Sequence, residues 1–155
     1  GAIVENSQLI WALQLAGQIL SISPPQGQTG TVVTINGTQL FAYSGGIRSV
    51  MFNNVTAFVN NNSSESIQVT MPRLSSSVNN MPVTISIETI YGAVISSASA
   101  FTALENGRIL SVTPNIGQAG TYVSLTGTNL LGNGTNVTLV ELGTANVTVL
   151  SANNT

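Results

Sequence analysis

The sequence predicts an all-β protein built from two successive β-sandwiches, the second incomplete, behind an apolar N-terminal segment. The segment Ile19–Val33 returns as Ile109–Val123, an offset of 90 residues. Short alternating apolar segments separated by Pro, Gly and Asn follow the first copy, whereas the second has no counterpart to residues 66–104. A repeat of this length, made of strand-like segments, is typical of tandem β-domains rather than of a short-repeat solenoid.

Turn residues divide the first copy into short segments, and alternation marks these segments as strands. Within one of them, Val33 and Ile35 are expected on one face and Thr34 and Asn36 on the other. Asn53 and Asn54 form an expected hairpin turn. The predicted strands are Ile19–Ser23, Thr31–Asn36, Arg48–Phe52, Val55–Val59, Ser66–Met71, Pro82–Glu88 and Val94–Thr102. This number and spacing of strands favours a two-sheet antiparallel sandwich.

These patterns predict four regions. Residues 1–18 form an N-terminal tail, residues 19–104 the first domain, residues 105–108 a linker, and residues 109–155 a partial second domain. Because the linker is so short, we expect the two domains to lie end to end with limited freedom.

The composition excludes several classes of function. The chain has 155 residues and contains no Lys, Asp, His or Cys, so its charge comes from three Arg and five Glu. Three Arg cannot form a basic stripe, which argues against nucleic-acid binding. Without the usual nucleophile–base pairs or metal ligands, we expect no enzyme and no cofactor. No apolar run is long enough for a membrane span.

The repeated residues resemble the IPT/TIG family of immunoglobulin-like domains. The family pattern has an Ile-x-Ser/Thr-x-Pro opening, a Gly-x-x-Gly-Thr turn, a Val-x-Ile/Leu-x-Gly strand and a Val-x-Phe turn. Its residues here are Ile22 with Pro24, Gly27 with Gly30 and Thr31, Val33 with Ile35 and Gly37, and Val50 with Phe52. The resemblance implies a domain found in cell-surface receptors, matrix-like proteins, transcription factors and carbohydrate-active enzymes, so the fold alone does not fix the function. Gly27 and Gly30 bracket a turn that is expected to need positive φ.

Asn-x-Ser/Thr acceptors for N-linked glycans are the main chemical signal of the sequence. Six of the eight have Thr at the third position, more than we expect this composition to produce by chance. Asn61 and Asn62 are adjacent, so we expect only one of them to be occupied. The acceptors are Asn36, Asn54, Asn61, Asn62, Asn133, Asn136, Asn146 and Asn153. Covalent glycans would supply the solubility that so few charges cannot, and they predict a secreted, extracellular protein.

The apolar tail is open to three interpretations. It can be a strand that inserts into a neighbouring molecule, where backbone hydrogen bonds and alternate side chains would hold it. The anchors of that strand would be Leu9, Trp11, Leu13 and Leu15. It can instead be the last strand of a preceding domain in a longer chain, or the core of a signal peptide. Head-to-tail insertion joins different surfaces and generates filaments.

The sequence therefore supports two main hypotheses. The first is a structural extracellular glycoprotein that polymerises head to tail with itself through the tail. The second is a fragment of a cell-surface adhesion or receptor ectodomain, in which these domains act as spacers or ligand-binding modules. A carbohydrate-binding module is a more distant third, since Trp11, Tyr43, Tyr91 and Tyr122 do not cluster in the sequence.

Overall fold

The first repeat folds as a two-sheet β-sandwich in the computed structural model, which describes residues 14–132, 134–137 and 139–153. Its strands are β1 (Gln18–Ser23), β2 (Gln26–Gly27), β3 (Val32–Thr38), β4 (Ile47–Phe52), β5 (Val55–Thr56), β6 (Phe58–Asn62), β7 (Ser66–Thr70), β8 (Met81–Thr89) and β9 (Val94–Ala103). The front sheet has the order β1-β3-β7-β6 and the back sheet the order β2-β9-β8-β4-β5. Neighbouring strands are antiparallel except β2, which pairs parallel with β9. The predicted all-β sandwich is confirmed.

The core lies between the inner faces of the two sheets. Val33 and Ile35 of β3 are completely buried, as their alternation with polar residues predicts. Phe52 and Phe101, both buried in the back sheet, meet edge to face with ring centroids 5.3 Å apart and an angle of 85° between the rings. Packing of this kind must hold the domain together, because the chain has no Cys for a disulfide.

The predicted strand Val55–Val59 is wrong as a single element. Val55 and Thr56 return along β4 in the back sheet, and the chain then crosses to β6 in the front sheet. Ala57 lies buried at the crossing, where its backbone N–H donates to the carbonyl of Val50 at 2.8 Å. A small residue fits this position, since a larger side chain would have to enter the core. The crossing also places Asn61 and Asn62 in strand β6.

The second repeat reproduces the first strand pairing residue by residue. Its strands are β10 (Arg108–Thr113), β11 (Ser124–Thr128), β12 (Glu141–Leu142) and β13 (Ala145–Asn146). In β10, Ile109 pairs with Gly127 and a bulge follows, as Ile19 pairs with Gly37 before the same bulge in β1. The described residues of this repeat form two separate two-stranded ladders. Leu142, at the position of the buried Phe52, is therefore 39% exposed.

The glycine turn is also repeated. Gly30 and Gly120 both have φ of 89°, which confirms positive φ at this position. Gly27 has a different requirement, because a Cβ there would lie 2.6 Å from the side-chain oxygen of Thr31. That oxygen accepts a hydrogen bond from the backbone N–H of Gln28 at 3.1 Å. A side chain at position 27 would therefore displace the Thr31 side chain that makes this bond.

Candidate glycosylated surface and interdomain joint

The turn between β4 and β5 carries an exposed acceptor. Asn53 has φ of 50°, and its side-chain oxygen accepts a hydrogen bond from the backbone N–H of Thr84 at 3.0 Å. These contacts fix the turn. Asn54, the next residue, is exposed, and its side chain makes no hydrogen bond within the described part of the chain. A glycan on Asn54 would extend into solvent without displacing a contact.

Strand β6 forms one edge of the front sheet and carries the two adjacent acceptors. Asn61 pairs with Gln68, and Asn62 pairs with Ile67. Because Ile67 is buried and Gln68 is exposed, Asn61 lies on the outer face of the sheet and Asn62 opposes a core position. The side-chain oxygen of Asn61 accepts a hydrogen bond from the backbone N–H of Asn62 at 2.8 Å. The two acceptors are therefore not equivalent.

A shallow polar cavity of about 190 Å³ lies beside Asn61 on this outer face. The residues that line it have hydroxyl or amide side chains, and none is charged: Thr34, Asn61, Asn62, Ser63, Ser66 and Gln68. Such a surface offers uncharged donors and acceptors, which suit the hydroxyl and acetamido groups of a sugar.

Asn36 lies at the centre of the same outer face. Its amide nitrogen donates to the hydroxyl of Ser21 at 3.4 Å, and its amide oxygen accepts from the hydroxyl of Ser66 at 3.0 Å. The side chain thus links β1, β3 and β7, and the residue is half-buried. Attachment of a glycan to the nitrogen would replace the contact with Ser21.

The second repeat contributes further acceptors. Asn136, Asn146 and Asn153 are exposed, and Asn146 lies in β13 opposite Glu141. Asn133 lies outside the described residues. The acceptors therefore occur on both repeats.

The joint between the repeats is held by hydrogen bonds between the linker and the first repeat. The side-chain oxygen of Gln28 accepts a hydrogen bond from the backbone N–H of Gly107 at 3.1 Å. In the other direction, the side-chain oxygen of Asn106 accepts one from the backbone N–H of Thr29 at 3.0 Å. The Gln28 side chain also packs on the Cα of Gly132 in the second repeat, where a Cβ would collide with it. The short linker is thus fixed to the first sandwich, and Gln28 also contacts the second repeat.

A strained loop lies at one end of the first sandwich. Ala42 and Tyr43 have φ of 43° and 61°, a region that non-glycine residues rarely adopt. The hydroxyl of Ser44 holds the loop, lying 2.5 Å from the carbonyl oxygen of Phe41 and 2.7 Å from that of Gly46. The loop presents Tyr43, whose side chain is 52% exposed.

A second exposed tyrosine lies at the same end. The backbone N–H of Ile90 donates to the carbonyl of Gly46 at 3.3 Å and joins the two loops. Tyr91, the next residue, is 82% exposed. Tyr43 and Tyr91, distant in the sequence, are therefore brought to one end of the domain, whereas Tyr122 belongs to the second repeat and Trp11 lies outside the described residues.

The charged groups form one surface ion pair within the described residues. Arg48 donates to Glu88 at 3.0 Å and also to the carbonyl oxygen of Ile90 at 3.2 Å. Over residues 14–132, 134–137 and 139–153, no three His, Cys, Asp or Glu side chains gather as a metal site would require. The same part of the chain contains no helix of the length and apolarity needed to cross a membrane.

The sequence model of the IPT/TIG domain matches residues 18–103 and again residues 108–155. The chain belongs to the IPT/TIG domain family. The resemblance inferred from the repeated Pro-x-x-Gly-x-x-Gly-Thr turn is thereby confirmed, including the tandem arrangement with a shorter second match.

Several solved structures are similar to this chain. The plexin A4 extracellular region is 22% identical, with a TM-score of 0.52, and the match covers 75% of this chain and 10% of that one. A surface glycan-binding protein of Prevotella bryantii is 16% identical, with a TM-score of 0.45 and coverage of 75% and 28%. The γ-CGTase of alkalophilic Bacillus clarkii is 24% identical, with a TM-score of 0.48 and coverage of 57% and 12%. At this identity the likeness to the plexin A4 region shows the fold alone, and the chain spans less than a third of each of these proteins. The comparison with curated proteins gave no match.

The predicted anchors of the tail lie mostly beyond the described part of the chain. Leu9, Trp11 and Leu13 are outside the described residues, and Leu15 is 84% exposed. Insertion of the tail into a neighbour therefore stays a prediction.

A glycine in an equivalent position immediately precedes the first strand of each IPT/TIG repeat. Gly17 lies so close to the carbonyl oxygen of Gln39 that a Cβ would collide with it, and Gly107 lies in the same way against the carbonyl oxygen of Asn129. Gln39 and Asn129 are 90 residues apart, and both have positive φ, 53° and 51° respectively. Residues 14–16 thus precede the first repeat as residues 104–106 precede the second.

Sequence reasoning missed three residues of this surface and joint. Gln28 and Asn106 gave a weak signal, since Gln28 recurs as Gln118 and Asn106 adjoins the linker glycine. Phe58, near Asn61 on β6, gave none. Its position depends on a bulge, and bulges leave no mark in the alternation of apolar and polar residues.

Proposed function

We propose that this chain is a spacer segment of an extracellular, N-glycosylated protein, in which successive IPT/TIG domains are joined at a fixed angle. The joint carries this proposal. Gln28 and Asn106 both accept hydrogen bonds from backbone N–H groups and so tie the linker to the first repeat. A freely rotating linker would have no use for such contacts, whereas a spacer that sets a distance needs them. This is the spacer form of the adhesion or receptor ectodomain hypothesis.

The extracellular part of the proposal rests on the acceptors and on the missing charges. Charged residues make up 5% of the chain, against about 25% in an ordinary soluble domain. Six of the acceptors are exposed: Asn54, Asn61, Asn62, Asn136, Asn146 and Asn153. Glycans at such positions would keep the surface hydrated in place of charged side chains. The plexin A4 chain that shares the fold is itself an extracellular region.

The position of the tail favours the spacer over the filament. Gly17 and Gly107 occupy equivalent positions. The tail therefore precedes the first repeat in the sequence in the same way that β9 and the linker precede the second. At the same offset Trp11 corresponds to Phe101 and Leu13 to Ala103, both of which are buried in the sandwich. These residues fit the closing strand of a preceding IPT/TIG domain.

Two measurements test this function. The chain is secreted from a eukaryotic host, and its intact mass is measured before and after enzymatic release of the glycans. We expect a loss of several glycans, and an unchanged mass would contradict the extracellular assignment. Light scattering then compares the chain with a variant that lacks residues 1–13. A spacer is not expected to polymerise through its tail, so large assemblies that dissociate on this deletion would instead support the filament.

A further inference from the structure

The bulge in β6 brings Phe58 and Asn61 to the same face of the front sheet. Phe58 pairs with Thr70 and Asn61 with Gln68, and the register shifts between them so that Asn60 is an extra residue. Thr70 and Gln68 are two apart on β7, so they share the outer face. In a regular strand, residues three apart lie on opposite faces. The bulge therefore changes the relationship between the ring and the acceptor.

Hydrogen bonds fix the bulge. The amide nitrogen of Asn60 lies 3.1 Å from the hydroxyl oxygen of Thr70, and that hydroxyl lies 3.2 Å from the amide oxygen of Asn60. The Asn60 side chain is thus bonded to β7, and these bonds hold the extra residue in place. Hydrogen bonds therefore hold the bulge that brings Phe58 and Asn61 to the same face.

Phe58 is an uncovered aromatic ring at this edge. Its side chain is 73% exposed, although it belongs to a strand whose neighbour β7 is well packed. An exposed apolar ring on an edge strand favours association with other chains. Native proteins usually prevent such association by covering the edge. No described residue of the chain covers it.

The amide of Asn61 is oriented for attachment. Its oxygen is engaged by the backbone N–H of Asn62 at 2.8 Å, which fixes the side chain. Its nitrogen, the atom that carries an N-linked glycan, has no hydrogen-bond partner among the described residues. Asn62 differs, because it opposes the buried Ile67.

We propose that Asn61, rather than Asn62, carries the glycan of this pair, and that the first N-acetylglucosamine packs its apolar face on the ring of Phe58. The C–H groups of a sugar face complement the negative face of an aromatic ring. Gln68, which pairs with Asn61 and also lines the cavity, hydrogen-bonds the polar groups of the sugar. The glycan thereby covers the ring and blocks the open edge of β6. This inference rests on the proposed extracellular function.

The test uses the whole chain, secreted from a host that adds only oligomannose glycans. Occupancy at each acceptor is read by mass spectrometry of peptides after glycan release in ¹⁸O-water. A second sample is trimmed with an endoglycosidase that leaves one N-acetylglucosamine on each asparagine. Thermal unfolding of the trimmed chain is compared with that of Asn61→Gln, in the native and the Phe58→Leu backgrounds. The same four proteins made without glycans in bacteria measure the effect of the substitutions themselves.

We expect occupancy at Asn61 and a Tm about 4 °C higher for the trimmed chain than for Asn61→Gln trimmed in the same way, as a modest stabilisation gives in a domain of this size. In the Phe58→Leu background, and in the proteins made without glycans, we expect this difference to vanish. An equal gain with and without the ring would overturn the packing, and occupancy of Asn62 in place of Asn61 would overturn the site. Glycans at Asn54 and elsewhere but not at Asn61 would sink this inference alone. A chain without any glycan would sink the proposed function with it.

Discussion

Gly37 lies against the backbone carbonyl oxygen of Gln18, so closely that a Cβ on Gly37 would collide with this oxygen. The same relationship joins Gly127 to Arg108 in the second repeat. In both repeats the close approach falls beside the bulge that follows Ile19 or Ile109. The glycine is thus kept because the backbones of β1 and β3 approach each other there.

We expect Gly37→Ala to lower the free energy of unfolding of the first domain by about 1–3 kcal/mol, the usual cost of overpacking. The new methyl group would meet the Gln18 carbonyl oxygen, and it would also lie 2.5 Å from a methyl carbon of Leu40. Chemical denaturation measures the change. Gly46→Ala is the matched control, since a Cβ there meets nothing within 4 Å. Equal effects of the two substitutions would contradict the close approach.

The strained loop gives a prediction of the opposite sign. Ala42 has φ of 43°, and Gly132, at the equivalent position 90 residues later, has φ of 57°. We expect Ala42→Gly to raise the stability of the first domain by about 0.5–1 kcal/mol, because glycine adopts this conformation without steric cost. Ala93→Gly, at a position without positive φ, should instead lower the stability. The prediction fails if both substitutions destabilise the domain equally in denaturant titrations.

The aromatic contact of the back sheet can be measured by a double-mutant cycle. Phe52 and Phe101 touch edge to face, so Phe52→Leu and Phe101→Leu should be coupled by about 0.5–1.5 kcal/mol. Phe52→Leu combined with Phe58→Leu provides the control, since Phe58 is 73% exposed on the other sheet. Those two effects should add. Additivity in the first pair as well would show that the rings contribute only their buried area.

The ion pair Arg48–Glu88 should contribute little. Its side chains are 60% and 27% exposed, and water screens charges in such positions. We expect Glu88→Gln to change the free energy of unfolding by less than about 1 kcal/mol, with the difference shrinking as salt is added. A larger loss that persists at high salt would show that this pair organises the end of the sandwich that carries Tyr43 and Tyr91.

Much of the fold could be predicted from the sequence, because the repeat and the alternation record it directly. Val33 and Ile35 alternate with polar residues and are buried, and Gly30 has the predicted positive φ. The predicted strand Val55–Val59 was wrong, since the alternation does not show where a chain leaves one sheet for the other. Only the buried Ala57 marks this crossing.

The candidate site was less predictable than the fold. The Asn-x-Ser/Thr pattern identifies acceptors but carries no information about which face they occupy. Asn61 and Asn62 look equivalent in the sequence, yet the bulge at Asn60 places them in different surroundings. The joint depends on Gln28 and Asn106, polar residues 78 positions apart in the sequence. Contacts of this kind arise from the folded backbone and have no local pattern.

The central claim is that the two IPT/TIG repeats are held at a fixed angle, and a distance between two spin labels tests it most directly. Because the chain has no Cys, one molecule can carry two labels and no others. One is attached at Ser96→Cys in the first repeat and the other at Thr128→Cys in the second. Both residues are exposed. We predict one narrow distance distribution, which broadens when Gln28→Ala and Asn106→Ala remove the hydrogen bonds between the linker and the first repeat. A distribution that is already broad in the native chain, or that is unchanged by the two substitutions, would contradict the claim.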